Sequence, residues 1–214
     1  MVVSEVQRAT VLAIDTAGNQ MGCALLAHDR LLGEHMLEEP FGAPALLVPL
    51  IGRLMTETGL SGQDITLIAV NVGPGSFTGL RAGIAAAQGL SLAWQCRLVG
   101  ISSFQALAHG WRRVRNSAPP DRLAILLDSR RDEPYAAVLD RDLAFLAPPF
   151  VLPEVERAAW RADEPTLLSD SAALAPCAVP HSAQDIAWLA RDPCYHLPAK
   201  PVYLRPPAIG GQTK

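Results

Sequence analysis

NVGPGSFTGLRAGIAAAQGLSLAWQ, residues 71–95, joins a short apolar run through a glycine-rich turn to a long apolar segment with helical character. The turn opens like a phosphate-binding loop, but three known patterns fail on it. A Walker A loop needs G-x-x-x-x-G-K-[ST], and neither Gly73 nor Gly75 is followed by that glycine and lysine. The dinucleotide fingerprint G-x-G-x-x-G fails because Thr78 occupies the place of the third glycine. The nucleophile elbow G-x-S-x-G is absent around Ser76.

Two interpretations of this turn remain open. In the first, Gly73-Pro74-Gly75 forms a tight strand-to-helix turn, and Ser76 or Thr78 caps the helix. In the second, the helix N-terminus binds a phosphate through its N–H groups. The pattern favours the capped turn. Arg81 then hydrogen-bonds the loop or a partner, or it is a solvated surface arginine.

The helix after the turn has more apolar surface than one sheet can cover. Arg81, Gln88 and Gln95 share one narrow stripe with Ser91, and most other positions are alanine, glycine, leucine or isoleucine. Either the helix is fully buried in a large core, or it packs against a helix of another subunit. The small residues favour the interface, because they let a second helix approach closely.

The preceding helical segment, Ala45 to Thr58, repeats this excess of apolar residues. Pro49 is compatible with a helix that begins at about Leu46, where a first-turn residue needs no N–H partner. Together the two helices predict an interface formed by Leu46, Leu47, Leu50, Ile51, Leu54, Gly79, Ala82, Gly83, Ala86, Ala87 and Leu90.

The order of elements predicts an α/β protein with two related halves. The turn-forming stretch NSAPPD, residues 116–121, is the predicted boundary, which gives domains of residues 1–115 and 116–214. The first half contains predicted strands 10–15, 21–27, 31–37, 67–72 and 98–101, with helices 45–58 and 104–114 and the helix that follows the turn. The second half is a looser copy, with predicted strands 123–128, 135–139 and 166–169, helices 155–161 and 183–191, and a proline- and glycine-rich tail.

Composition narrows the classes of function. With 214 residues and a formal net charge of -3, the chain has no excess of lysine and arginine to hold nucleic acid by charge alone. The four cysteines form no C-x-x-C pair, so neither a zinc knuckle nor a redox dithiol is indicated. The N-terminus lacks the pattern of a secretory signal, and no apolar run is long enough to span a bilayer. We therefore expect a cytoplasmic protein without a membrane role.

Five stretches of the chain resemble one known family. They are AIDTAGNQMGCALL (13–26), NVGPGSFTGLRAGIAAAQGLSLA (71–93), VGISSFQALA (99–108), DSRRDEPYAAVLD (128–140) and KPVYLR (200–205). Together they resemble the TsaB family, also called YeaZ. That family is the scaffold subunit of the bacterial machinery that makes N6-threonylcarbamoyladenosine at position 37 of tRNA.

The resemblance implies a fold and partners. The fold is that of the actin-like ATPases (ASKHA, sugar kinase/Hsp70-like), with two α/β lobes, each a mixed sheet with flanking helices. The main partner is TsaD, a catalytic paralogue that packs against the two helices of the first lobe. A homodimer in isolation, the ATPase TsaE as a further partner, a TsaC-type enzyme that makes the threonylcarbamoyl-adenylate, and indirect contact with tRNA are also implied.

Several residues indicate that this chain is the non-catalytic member. None of its histidines forms the H-x-x-x-H pair that holds the metal in the catalytic paralogue, so no metal site and no cofactor is predicted. Asp15 and Thr16 are identified as the remnant of a first nucleotide-binding hairpin. The corresponding turn of the second half reads Asp128-Ser129-Arg130 and lacks a D-x-G sequence. The alternative is a kinase-like ATPase or a peptidase that acts through Asp15 and the cleft between the lobes.

Two further stretches bear on the site. Asp128, Arg130, Glu133 and Tyr135 form either a functional polar cluster or an ion-paired hairpin at the border of the cleft. Phe41-Gly42-Ala43 stands where relatives carry a polar entry to the first long helix, which weakens the N-cap expected there.

Overall fold

The computed structural model describes residues 9–38, 44–115, 120–163 and 166–205, and two five-stranded mixed sheets organise the fold. In the first sheet the strand order is β3-β2-β1-β4-β5. β1, β2 and β3 pair antiparallel, whereas β4 and β5 run parallel to β1. The elements of this half are β1 (Thr10–Asp15), β2 (Met21–Ala27), β3 (Arg30–Leu37), α1 (Pro44–Thr58), β4 (Leu67–Gly73), α2 (Phe77–Trp94), β5 (Arg97–Ser102) and α3 (Ser103–Arg115).

The second half repeats the first with shorter elements. Its elements are β6 (Leu123–Leu127), β7 (Tyr135–Leu139), β8 (Phe150–Val151), α4 (Arg157–Asp163), β9 (Leu167–Ser169), β10 (Cys177–Ala178) and α5 (Ala183–Leu189). The strand order of the second sheet is β8-β7-β6-β9-β10. When the strands of each sheet are numbered along the chain, both sheets have the order third, second, first, fourth, fifth. The pairing directions also agree. The chain therefore has the two-lobe actin-like ATPase fold, as expected.

Helices and sheets alternate in layers because each strand sends successive side chains to opposite faces. Leu12 and Ile14 of β1 join the core beneath α1 and α2. Val11 and Ala13 point the other way, into the core that α3 and α5 share with the second sheet. The outer face of the second sheet packs against α4 in a smaller core.

A buried ion pair joins the two helices of the central layer. Asp185 of α5 is 1% exposed and accepts two hydrogen bonds of 2.9 Å from the guanidinium of Arg113 in α3. His109 of α3 lies 2.8 Å from the same carboxylate. Gly110 leaves the space for this contact, since a Cβ there would lie 2.9 Å from Asp185 Oδ2.

Residues 196–205 return to the first lobe after α5. Leu197 forms an antiparallel bridge with Gly100 at the edge of β5, and Val202 donates a 2.8 Å hydrogen bond to the Val72 carbonyl. α5 also packs against β1 and β2. The division into domains of residues 1–115 and 116–214 stays a proposal, and parts of its second half pack onto the first sheet.

The local expectations differ from the structure in a few places. α1 begins at Pro44 rather than at about Leu46, so Pro49 lies inside the helix and cannot donate to the Ala45 carbonyl. β8 and β10 were not predicted, because two residues each are too few to show a period. Phe41-Gly42-Ala43, most of the 116–121 boundary and the tail beyond Arg205 lie outside the described residues. Within the described ranges, no helix combines the length and apolar character needed to cross a bilayer.

The hairpin between β1 and β2 contacts α2 at two glycines. Thr16 is buried, and its hydroxyl donates a 2.8 Å hydrogen bond to the Gly79 carbonyl. A Cβ on Gly79 would lie 2.0 Å from the Thr16 carbonyl oxygen, and one on Gly83 would lie 2.2 Å from Thr16 Oγ1. The space beside these two glycines is therefore filled by a hairpin of the same chain. The sequence pattern had predicted a helix of another subunit in that space.

We expect Gly79→Ala to lower the free energy of unfolding by about 3 kcal/mol or more, because the new methyl group would overlap the Thr16 backbone. Gly89→Ala is the matched control in the same helix, since a Cβ there meets nothing within 4 Å. It should stabilise the chain by about 0.5–1 kcal/mol. Urea denaturation of both variants measures the difference, and equal stability would contradict the close approach.

Candidate functional site

The turn between β4 and α2 is a capped turn, and two of its N–H donors, those of Ser76 and Gly79, bond within the chain. Gly73 has a φ of +102°, which favours glycine, and Ser76 Oγ accepts a hydrogen bond of 3.3 Å from the Gly79 N–H. The Ser76 N–H donates to the Ala17 carbonyl at 2.7 Å. Ser76 rather than the exposed Thr78 is therefore the cap.

Asp15 lies at the end of β1, in a fully buried polar network. Its Oδ1 accepts hydrogen bonds from the Ala17 N–H at 3.0 Å and from the Asn71 amide at 2.9 Å. Asn71 Oδ1 in turn accepts from Ser103 Oγ at 2.7 Å and from the Gly73 N–H at 2.9 Å. This network holds the ends of β1 and β4 and the start of α3 in register. Its hydrogen bonds use only one of the two carboxylate oxygens of Asp15, Oδ1.

His181 occupies the space between the lobes beside Asp15. Its Nδ1 lies 3.4 Å from Asp15 Oδ2, and its Nε2 lies 3.4 Å from Oδ2 of Asp170, which follows β9 in the second lobe. The side chain is only 8% exposed. Gly18 lies against the ring, where a Cβ would come within 2.8 Å. Among the described residues, Asp15 Oδ2 has no hydrogen bond of good geometry.

The two carboxylates set the charge of His181. Burial lowers its pKa, but hydrogen bonding and charge attraction from Asp15 and Asp170 outweigh that effect and raise the pKa to about 10. His181 is therefore positively charged at neutral pH, and its imidazolium lies between one carboxylate from each lobe. Sequence reasoning missed His181 and Asp170 as site residues because no motif marks them, and their partners are distant in sequence.

Arg130 closes the other side of the cleft. Its backbone has a left-handed φ of +59°, and its N–H donates to Asp128 Oδ1 at 2.7 Å. Its guanidinium crosses to the first lobe and donates to the Gly18 carbonyl at 3.0 Å and to Asn19 Oδ1 at 2.8 Å. This turn corresponds to the second nucleotide-binding turn of the actin-like fold but lacks its D-x-G sequence. Here it carries a bridge between the lobes.

The predicted polar cluster is divided among different contacts. The Asp128 N–H donates to Asp170 at 2.8 Å, and the Glu133 carboxylate forms an ion pair with Arg205. Tyr135 lies at the start of β7, where it pairs with Leu127 of β6, and it is half-buried. These contacts match the ion-paired hairpin more closely than a single convergent cluster.

An apolar surface covers the outer side of α1 and α2, which lie side by side on the first sheet. Leu92 is 83% exposed, Val48 54% and Leu46 43%. We call this surface the helical face. It consists of Leu46, Val48, Pro49, Gly52, Ala82, Ala85, Ala86, Gly89, Leu92 and Ala93, all exposed or half-buried.

The predicted interface residues divide between this face and the core. Gly79 and Leu90 are half-buried next to the face, and Leu46, Ala82 and Ala86 belong to it. The chain's own core buries Leu47, Leu50, Ile51, Leu54, Gly83 and Ala87. Seven residues of this face are absent from the predicted list, because helices that are apolar on most sides do not reveal which side meets the sheet. They are Val48, Pro49, Gly52, Ala85, Gly89, Leu92 and Ala93.

The polar stripe of α2 faces the returning segment 196–205. Arg81 Nε donates to the Tyr203 hydroxyl at 3.0 Å, and its guanidinium lies 3.8 Å from the centre of the Phe77 ring. Gln88 donates to the Ala199 carbonyl at 3.3 Å. The stripe thus fixes the returning segment, and the helical face beside it stays open. Within the described part of the chain, no three histidine, cysteine or acidic side chains are grouped to hold a metal.

The His181 contacts predict how stability changes with pH. A folded pKa of about 10, above the unfolded value of about 6.5, gives a contribution that is complete below about pH 6.5 and is lost as the pH rises to about 10. The free energy of unfolding of the wild type, minus that of His181→Gln, should fall across this window by at most about 1.4 kcal/mol per pH unit. Thermal or urea unfolding of both proteins measures it, and parallel pH profiles would contradict the bridge.

Comparisons with known proteins agree with this architecture. A family model described as "TsaD: tRNA N6-adenosine threonylcarbamoyltransferase" matches residues 45–145. The tRNA threonylcarbamoyladenosine biosynthesis protein TsaB of Escherichia coli K12 is 37% identical over 62% of this chain. The protein of the same name from Bacillus subtilis 168 is 30% identical over 60% of it. The matched regions span 55% and 54% of those two proteins, about half of their lengths.

A solved structure extends the likeness to nearly the whole chain. It is described as a protein with similarity to peptidase YEAZ from Pseudomonas aeruginosa, and it superposes with a TM-score of 0.75 at 28% identity. The superposition covers 92% of this chain and 100% of that one. The turn and helix of residues 71–95, the strand order of the two sheets and these similarities together support the assignment of the chain to the TsaB (YeaZ) family.

Proposed function

We propose that this chain is a non-catalytic scaffold subunit of the machinery that makes N6-threonylcarbamoyladenosine in tRNA, and that its helical face binds a TsaD-type catalytic paralogue. The observation that carries the proposal is the exposure of Leu92, Val48 and Leu46 on adjacent helices. Large apolar side chains left exposed on neighbouring helices are typical of a protein interface. TsaB proteins are named for the biosynthesis of this nucleoside, which supplies the pathway.

The composition of the helical face suits a helical partner. Gly52, Ala85 and Gly89 are exposed and have little or no side chain, so the axis of a second helix can approach closely. Leu92 and Val48 supply larger groups that would fill the space between the backbones. A paralogue with the same fold would present equivalent helices, which gives a pseudo-twofold pairing. A homodimer would use the same surface, and a TsaE-type ATPase is a further proposed partner.

The cleft supports a role without catalysis. His181 fills the space beside Asp15, and Arg130 bridges the lobes where a phosphate-binding turn would lie. The hydrogen bonds of Asp15 Oδ1 and of Arg130 are directed to groups of the chain itself. A substrate would have to displace a paired imidazolium to reach Asp15.

Leu92→Arg is the test of the partner surface. We expect it to lower the amount of TsaD that co-purifies with the chain by at least about tenfold, because a charged group would replace a buried contact worth about 1.4 kcal/mol or more. Leu146→Arg is the matched control, since Leu146 is 50% exposed and lies on the second lobe. Retention of TsaD by the Leu92 variant would overturn the assignment. Ala87 is unsuitable for this test, because it lies in the core.

One observation favours a second function, a kinase-like ATPase. Asp15 Oδ2 is buried without a well-formed hydrogen bond from the described residues, and such an oxygen can bind a cation or a hydroxyl group. A peptidase function would use the same cleft.

Calorimetry with ATP and magnesium on the isolated chain separates the scaffold from the ATPase. We expect no binding in the micromolar range, because the cleft holds His181 and the Arg130 bridge. His181→Ala is the comparison, as it empties the space beside Asp15. Micromolar binding by the wild type that Asp15→Asn abolishes would favour the ATPase, while binding at the cleft by the His181 variant alone would support the blocking role of His181.

A further inference from the structure

A pocket of about 1010 Å3 lies on the second lobe, and none of its lining residues belongs to the helical face. Its walls come from the β6–β7 hairpin, the start of α4 and the end of the returning segment. We call it the arginine pocket. It is lined by Arg130, Arg131, Asp132, Glu133, Glu154, Arg157 and Arg205.

Every residue that lines the arginine pocket carries a charge. Four guanidinium groups stand against three carboxylates, which leaves one positive charge in excess. The chain as a whole has a net charge of -3, so this local balance runs against the overall sign. A pocket with charged walls suits a small charged group better than an apolar ligand.

Three of the four arginines are held in place by contacts with the chain. Arg157 donates to the Asp132 carbonyl at 3.4 Å and pairs with Glu154. Arg205 donates to the Glu133 carbonyl at 3.3 Å and pairs with the carboxylate of the same residue. Arg130 is fixed by its bridge to the first lobe. Guanidinium groups ordered in advance lose less conformational entropy when a ligand binds.

The hydrogen bonds of Arg205 leave part of its guanidinium available. Both of its bonds to Glu133 use Nη2, although the side chain is only 17% exposed. Arg131 is exposed, and its guanidinium makes no hydrogen bond or ion pair with any residue in the described ranges. A guanidinium has five N–H donors in one plane, and phosphate oxygens match this geometry.

We propose that the arginine pocket binds a phosphate group, either of the backbone of RNA or of a free nucleotide. Arg131 and Arg205 donate to the phosphate oxygens, and Arg157 adds positive charge beside them. The excess of one positive charge matches a phosphodiester, which carries one negative charge. This site goes beyond the scaffold function and does not depend on the helical face.

Two binding experiments on the full chain distinguish the sources of the phosphate. Fluorescence anisotropy with a short labelled single-stranded RNA reports the backbone, and calorimetry with inorganic phosphate and with ATP reports free phosphate groups. Arg131→Glu should weaken binding by about tenfold or more for whichever ligand the wild type binds. For RNA, it should also reduce the slope of log K against log salt by about 0.7 for each phosphate that the variant no longer neutralises.

Two more variants separate this site from a general effect of charge. Arg97→Glu makes the same change on the first lobe, where Arg97 is exposed at the start of β5, and it should leave binding within about twofold of wild type. Glu154→Gln removes one of the competing carboxylates and should strengthen binding several-fold.

Each outcome decides the proposal. Loss of RNA binding in Arg131→Glu assigns the site to RNA, and loss of ATP or phosphate binding assigns it to a free phosphate group. The site is excluded if no ligand binds, or if Arg131→Glu and Arg97→Glu weaken binding equally. Arg131→Glu should still co-purify with TsaD, so failure here is distinguishable from failure of the scaffold proposal.

Discussion

The central layer of α3 and α5 is the constraint on which the two lobes depend. Each helix follows the last strand of its own sheet; α3 packs against both sheets, and α5 packs against α3 and the first sheet. Asp185 is almost fully buried, so its charge requires the paired hydrogen bonds that Arg113 provides. This ion pair holds the two helices together between the sheets. The hairpins of the two lobes meet at the cleft, where Arg130 bonds to the Gly18 carbonyl.

With the lobes at this distance, the cleft is filled by the chain itself. His181 links Asp15 to Asp170, and Arg130 reaches the hairpin of the first lobe. The polar groups that an actin-like ATPase would direct at a nucleotide are directed here at each other. The two surfaces proposed for recognition, the helical face and the arginine pocket, lie outside the cleft.

Much of this architecture could be predicted from the sequence. The apolar runs indicated most of the strands, and the repeated order predicted two related lobes, which the matching sheet orders confirm. Patterns could not show which side of α2 meets the sheet, so Ala87, predicted at the interface, lies in the core, and the exposed Leu92 is absent from the predicted list. Gly79 and Gly83 looked like places for a partner helix, but a distant hairpin occupies that space. The contacts of His181 also join residues far apart in the chain, and a single sequence does not reveal such pairs.

The returning segment has a consequence for the order of folding during synthesis. Leu197 pairs with the edge of β5, and Val202 bonds to Val72 beside the turn that begins α2. These partners leave the ribosome long before the segment that covers them. The outer strand of the first lobe is therefore covered only after residues 197–202 have been translated, although the sheet itself is complete by Ser102.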